Sequence, residues 1–208
     1  MNNSAHTIKF GIFGGTFNPI HYGHLISAEW IRSDFNLDRI IFIPSKNTCK
    51  KDIVQIAPAE DRYAMTVLAT EGVKEFEVSC IELEREGPSY SIMTVDRLRE
   101  IHPDNAFYFI LGTDALAGIN NWHESPRLMK LISLIILNRL AGFNVNVPVP
   151  FCDEILYAKN PVIDISSTYI RERLFAGKSV KYLLPDSVID YIIRNGLYSK
   201  KLENTSDS

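Results

Sequence analysis

Positive charge is not in surplus: 22 Lys and Arg stand against 25 Asp and Glu, a formal net charge of −3 over 208 residues. A general electrostatic grip on nucleic acid is therefore not indicated. Cysteine is scarce. Cys49, Cys80 and Cys152 are odd in number and far apart, which argues against a disulfide framework and for a reduced compartment. No apolar run is long enough to cross a bilayer, the longest lying around Leu131 to Leu137. Met1 to Thr7 is polar, unlike a secretory signal. Also missing are the Gly-Lys-Ser/Thr of a Walker loop, the glycine spacing of a dinucleotide fingerprint, and any serine–histidine–acid or cysteine-nucleophile pattern. The expectation is a cytoplasmic chain with no membrane or nucleic-acid partner, working as a monomer or homodimer.

What is present fits one globular domain with a substantial core, 46% hydrophobic and 23% charged. Short apolar runs alternate with helical patterns. Strands are expected at residues 8–13, 39–43, 75–79, 107–111, 132–137 and 155–158, with 162–165 either a further strand or the end of the last. Helices are expected at 24–35, 59–70, 91–101, 114–120, 126–130, 168–175 and 185–194. Near-continuous apolar strands such as Phe-Tyr-Phe-Ile-Leu imply burial on both faces. That predicts an α/β fold, a Rossmann-like open parallel sheet with helices on both faces and small C-terminal helices. The domain spans 8–198, with 1–7 and 199–208 expected as disordered tails. Ligands of such sheets sit outside the carboxyl ends of the strands. Gly14, Gly112 and Ser166 each follow a predicted strand and should meet at one crevice.

The most telling segment is Gly11-Ile-Phe-Gly-Gly-Thr-Phe-Asn-Pro-Ile-His-Tyr-Gly-His24. It reads as a buried strand, a tight turn at Gly14 and Gly15 where backbone amides lie open, then a helix with His21 and His24 near its N-terminus. Open amides, a positive helix end and two imidazole donors make a site for a nucleotide phosphate chain. A His-x-x-His metal site lacks further clustered ligands, and a plain glycine turn with two surface histidines leaves Gly-Gly and Gly23 unaccounted for.

A second element repeats the logic. In Asp164-Ile-Ser-Ser-Thr-Tyr-Ile-Arg171, the hydroxyls of Ser166, Ser167 and Thr168 fall where a strand gives way to a helix, where plain capping also places them. Arg171, one turn beyond Thr168, could reach back over a phosphate with its planar fork. Two anion cradles without a covalent nucleophile point to transfer at phosphorus by positioning.

Gly-Gly-Thr-Phe with His-x-Gly-His, together with Ile-Ser-Ser-Thr-x-Ile-Arg, resembles the nucleotidylyltransferase superfamily, and within it bacterial nicotinate-nucleotide adenylyltransferase. The resemblance runs from about Phe10 to Tyr198. It includes Ile43-Pro44, Arg62 and Met65, Glu82-Leu83, Gly87 to Thr94, Leu111 to Leu116, Trp122 and the Gly-Leu-Tyr ending. It implies adenylyl transfer from ATP to nicotinate mononucleotide, giving deamido-NAD and pyrophosphate, with Mg²⁺ bound through the ATP phosphates. Catalytic roles fall on His21, His24 and Arg171. ATP contacts fall on these and on Gly14, Gly15, Thr16, Phe17, Gly112, Asp114, Ser166, Ser167 and Thr168. The nicotinate mononucleotide would meet Lys51, Ser89, Tyr90, Ser91, Trp122, His123 and Arg139.

Blander roles stand beside these: Thr16 shaping its turn, Asp114 capping its helix, Trp122 simply packing. The chain departs from the family at Thr48-Cys49-Lys50-Lys51 (commonly Pro-Pro-His-Lys), at His123 (often tyrosine), and after Arg139, where Leu-Ala-Gly replaces Pro-Gly. Rival readings are a related transferase acting on the amide mononucleotide or on phosphopantetheine, and a nucleotide sensor without turnover.

Overall fold

A strand whose side chains are apolar on both faces must be covered on both, and that requirement organises this chain. The structure, a computed structural model, describes residues 7–47, 56–138 and 148–199. Strands β1 (Lys9–Gly15), β2 (Arg39–Pro44), β3 (Phe76–Val78), β4 (Ala106–Gly112), β5 (Ser133–Leu137) and β6 (Ile155–Tyr157) form one sheet. Its order is β3-β2-β1-β4-β5-β6, with every neighbouring pair parallel. The described helices are α1 (Tyr22–Asp34), α2 (Ala59–Thr70), α3 (Ser91–Ile101), α4 (Thr113–Leu116), α5 (Ser125–Met129), α6 (Ser167–Phe175) and α7 (Asp186–Arg194). This is the expected Rossmann-like α/β fold. None of the described helices is long and apolar enough to cross a membrane.

Pleating sends alternate strand residues to two cores. Phe13, Ile40, Phe42, Ile110 and Ile135 pack with Ala28, Ile31, Met65, Ile170, Val188 and Ile192 from α1, α2, α6 and α7. Ile12, Ile41, Ile43, Phe109, Leu111 and Ile136 pack on the other face with Ile92, Val95, Leu98 and Leu128 from α3 and α5. Each fully buried Ile or Phe is worth about 1.5–3 kcal/mol of transfer free energy, which is ample to fix the strand registers. A one-residue slip would exchange the two faces.

The order in which successive strands join the sheet reverses at β1, outward to β3 on one side and from β4 to β6 on the other, so the carboxyl ends of β1 and β4 open a crevice there. Helix α7 is tied to α2 by Tyr191 Oη donating to Asp61 Oδ1 at 2.8 Å and Ser187 Oγ donating to the Leu68 carbonyl at 3.2 Å. Gly196, at φ 61°, then turns the chain and returns Tyr198 to the core.

Three local expectations need correction. The turn is not at Gly14 and Gly15, because β1 keeps its parallel pairing with Ile43 and Pro44 through both glycines. The Gly15 carbonyl still accepts from Ser45 N at 2.9 Å, and the turn falls at Thr16 to Pro19, with Phe17 at φ 46° and a cis Asn18–Pro19 bond. Residues 162–165 are neither a strand nor the end of β6. Beyond Leu137 the ladder goes to a side chain, since Asn138 N donates to Asn160 Oδ1 (3.1 Å) and Asn160 Nδ2 returns to the Asn138 carbonyl (3.2 Å). The helix expected at 114–120 is split into α4 and a 3₁₀ turn (Ile119–Asn121) on either side of Gly118. Of the expected tails, residues 1–6 and 200–208 lie outside the described residues, as do residues 48–55, including Cys49 and Lys51, and Arg139.

Candidate active site

His21 sits at the N-cap of α1 in extended conformation, and His24 occupies the third helical position. Their rings stack with centroids 3.8 Å apart, and the His21 backbone N–H donates to His24 Nδ1 at 3.3 Å. With Nδ1 accepting, a neutral His24 carries its proton on Nε2 and so presents a donor there. The ring is held edge-on against Phe17, centroids 5.1 Å apart at 85°. Phe17 is buried and also meets Phe13 and Phe42, and this packing offsets the cost of its positive φ.

Gly23 is required by the same stack. A Cβ there would lie 3.0 Å from Cε1 and Nδ1 of His21. Gly23→Ala should therefore raise helix propensity, by up to about 1 kcal/mol, while pushing the His21 ring out of place. The expected result is an unchanged or higher melting temperature with turnover reduced roughly threefold to tenfold, if the His21 ring meets substrate, since small misplacements of a positioned group are costly. Turnover equal to wild type would separate the stack from catalysis.

The second element meets this one across a single cleft of about 490 Å³, lined by residues 13–18, 21, 23, 24, 27, 137, 138, 160, 163–168 and 171. Thus Gly14, Gly15, Thr16, Phe17, His21, His24, Ser166, Ser167, Thr168 and Arg171 all line one cavity. The N-termini of α1 and α6 both open on it, so two positive dipole ends face the same space. Ser166 caps α6 by accepting from Tyr169 N at 3.1 Å. The Ser167 hydroxyl donates to the Pro19 carbonyl at 2.8 Å and so joins the two motifs directly. Arg171 donates from Nη1 to the Asn18 carbonyl (2.9 Å) and from Nη2 to Thr168 Oγ1 (3.2 Å). Burial pulls its pKa below the ordinary arginine value, with Tyr198 opposing, but a guanidinium stays charged.

Gly112 and Asp114 lie beside the cleft but do not line it. Gly112 is buried and pairs with Leu137 at the end of β5, and Asp114 is exposed in the first turn of α4. The residues expected at the pyridine end gather around α3 and the segment after the 3₁₀ turn. Tyr90, at the N-cap of α3, stacks on His123 with centroids 4.1 Å apart at 21°. Trp122 meets Phe109 edge-on at 5.8 Å, and Ser91 opens α3. Ser89 Oγ accepts from Asn47 N at 3.5 Å, linking this loop to the exit of β2. Lys51 and Arg139 lie outside the described residues.

Two thiols are in view. Cys80 Sγ donates to Glu84 Oε1 at 3.0 Å, and that bond with burial pushes its pKa up; burial does the same for Cys152. Neither thiol is primed as a nucleophile. Among the described residues no group of three or more His, Cys, Asp or Glu could hold a metal ion.

Residues 12–173 match the cytidylyltransferase-like family. A protein of Geobacillus thermodenitrificans named "Probable nicotinate-nucleotide adenylyltransferase" is 41% identical over 93% of this chain and 87% of its own length. The chain belongs to that family. A protein of the same name from Saccharopolyspora erythraea is 40% identical over 91% of this chain and 89% of its own length. In fold the chain is similar to the nicotinic acid mononucleotide adenylyltransferase of Plasmodium falciparum complexed with NaAD, at a TM-score of 0.74 and 24% identity over 93% of this chain and 98% of that one.

Sequence reasoning missed Asn18, Asn138 and Asn160 in the cleft lining, and gave no role to Arg62 or Tyr198 behind it. Asparagine in a loop carries no periodic signal. Arg62 on a helix reads as a solvated charge, yet it is 1% exposed.

Proposed function

We propose that the chain transfers the adenylyl group of ATP to nicotinate mononucleotide, releasing pyrophosphate and forming deamido-NAD. Residues 8–198 act as one nucleotidylyltransferase domain, in the cytoplasm. The observation that carries the reading is the convergence of two stacked imidazoles, a guanidinium and two helix N-termini on one cleft. Such a constellation suits a triphosphate and the negative charge that grows on a departing pyrophosphate.

In this reading a phosphate oxygen of the mononucleotide attacks the α-phosphorus of ATP, and the bond from that phosphorus to the bridging oxygen of the β-phosphate breaks. No covalent enzyme intermediate is needed. His21 and His24 donate to the phosphates, Arg171 and the first-turn amides of α6 hold the outer ones, and Gly14 to Phe17 approach through backbone. Asp114 and Gly112, at the end of β4, serve the adenosine half. Trp122, Tyr90, Ser89, Ser91 and His123, with Lys51 and Arg139, serve the pyridine nucleotide.

Mg²⁺ fits through the phosphates rather than through a protein cage. The only carboxylate among the described cleft-lining residues is Asp164, and Mg²⁺ characteristically keeps several waters and takes one or two carboxylates plus substrate phosphates. Bound so, the ion would neutralise charge on the phosphates.

The test is pyrophosphate release from ATP with nicotinate mononucleotide, its amide or phosphopantetheine. Clear preference for the acid mononucleotide is expected. Preference for the amide refutes acid specificity alone, preference for phosphopantetheine refutes the substrate, and no release with any acceptor refutes the reaction.

A further inference from the structure

Arg62 is the most conspicuous buried charge in the molecule. It lies on α2 and is 1% exposed, yet among the described residues no carboxylate pairs with its guanidinium. Its bonds go instead to main-chain carbonyls of separate segments. Nε donates to Ala57 at 3.0 Å, Nη1 to Thr16 at 2.7 Å and Nη2 to Lys46 at 3.2 Å. Burying an arginine is expensive, and burial drives its pKa down from the ordinary value. A well-packed apolar residue would serve plain stability better.

The groups it holds define its purpose. Thr16 lines the cleft immediately before the Phe17 turn, and Asn18 lines it immediately after. Asn18 is 2% exposed; its Oδ1 accepts both from Ala57 N at 3.0 Å and from Tyr198 Oη at 2.7 Å. Ala57 is therefore gripped twice, its carbonyl by Arg62 and its amide by Asn18. A continuous buried network thus runs from the C-terminal Tyr198 through Asn18 and Ala57 to Arg62 and back to Thr16. It holds the loop between β1 and α1 from behind, while Arg171 grips the Asn18 carbonyl at the cleft. Arg62 and Tyr198 are absent from the cleft lining.

We propose that Arg62 and Tyr198 are positioning residues for the ATP-phosphate loop, setting residues 16–18 where the stacked histidines and the loop amides can meet the triphosphate. This rests on the adenylyl-transfer reading above. Glu60 and Glu82 act on the Arg62 guanidinium only through space, so its hydrogen bonds are all committed to the backbone of the loop and its neighbours.

The experiment compares wild type, Tyr198→Phe and Arg62→Lys, measuring kcat and separate KM values for ATP and for nicotinate mononucleotide. Tyr198→Phe deletes one oxygen and one neutral hydrogen bond, so kcat/KM for ATP should fall about fivefold. Arg62→Lys keeps the charge but cannot hold three carbonyls in a fork, so the fall should be about thirtyfold. In Tyr198→Phe, whose lost bond touches only Asn18, KM for nicotinate mononucleotide should stay within about twofold.

A purely structural role predicts something else: lower melting temperatures, with kinetics against both substrates unchanged when assayed well below melting. That result overturns the proposal, as does an equal rise in both KM values for Tyr198→Phe. Should Arg62→Lys not fold, Tyr198→Phe decides alone. Wild-type turnover is measured first. If it is absent, the adenylyl-transfer reading fails, and equilibrium binding of ATP to the same proteins then decides the positioning claim. If it is present and Tyr198→Phe matches wild type for ATP, only the positioning claim fails.

Discussion

Replacing His24 by alanine should lower kcat by about 10²–10³-fold, the scale set by deleting one preorganised donor at a site of developing charge. The affinity for ATP should change by no more than about threefold. The asymmetry follows from how the ring is held. Phe17 fixes one edge of it at 5.1 Å and His21 stacks on it at 3.8 Å. The His21 amide occupies Nδ1, which leaves the proton on Nε2. In the proposed reaction, a donor so constrained would not follow the ground-state phosphate wherever it settles and would contribute most where charge accumulates as pyrophosphate departs. The substitution also leaves the His21 N–H without its Nδ1 acceptor, at a cost of about 1 kcal/mol. For a chain of this size that is a melting shift of about 2–4 °C. Assays well below melting keep the two effects apart. Equal losses of affinity and turnover would instead describe a binding module, because uniform binding changes affinity without accelerating the step.

The parts of this molecule that were legible in its sequence are those set by local burial. α2 and α3 begin and end where their apolar periodicity said, at 59–70 and 91–101. The four inner strands stood out because each is covered on both faces and so is written as an apolar run, whereas the short edge strands β3 and β6 are only partly buried. What was not legible depends on contacts far along the chain. β1 continues through Gly14 and Gly15 because β2 offers Ile43 and Pro44 as partners, and no local rule announces that. Val162 to Ile165 has strand composition, but Asn160 takes over the hydrogen bonds of Asn138, and Pro161 has no amide to give. The two phosphate motifs could be found separately, as a strand ending in glycines and a strand ending in hydroxyls. That Ser167 spends its hydroxyl on Pro19, 148 residues away, could not. The site was therefore readable as two cradles, whereas the network that joins and backs them exists only in the folded chain.

The same join makes Arg171 the second decisive position. Its guanidinium is shared between the Asn18 carbonyl and Thr168 Oγ1, so it stands at the seam of the two motifs with donors to spare for a phosphate. Arg171→Ala should lower kcat/KM for ATP by about 10²–10³-fold, the scale of about 2.7–4 kcal/mol found for a lost charge-stabilising donor. Thr168→Ala removes only a neutral hydroxyl and should cost about fivefold or less. Arg171→Lys separates charge from shape. An ammonium restores the point charge but cannot hold Asn18 and a phosphate in one planar fork, so about tenfold of the deficit should remain. Full rescue by lysine would mean that charge alone is needed and that the bond to Asn18 is incidental. Wild-type kinetics for ATP in Arg171→Ala would mean that α1 and its histidines grip the phosphates unaided, and the cleft would then have one anion cradle instead of two.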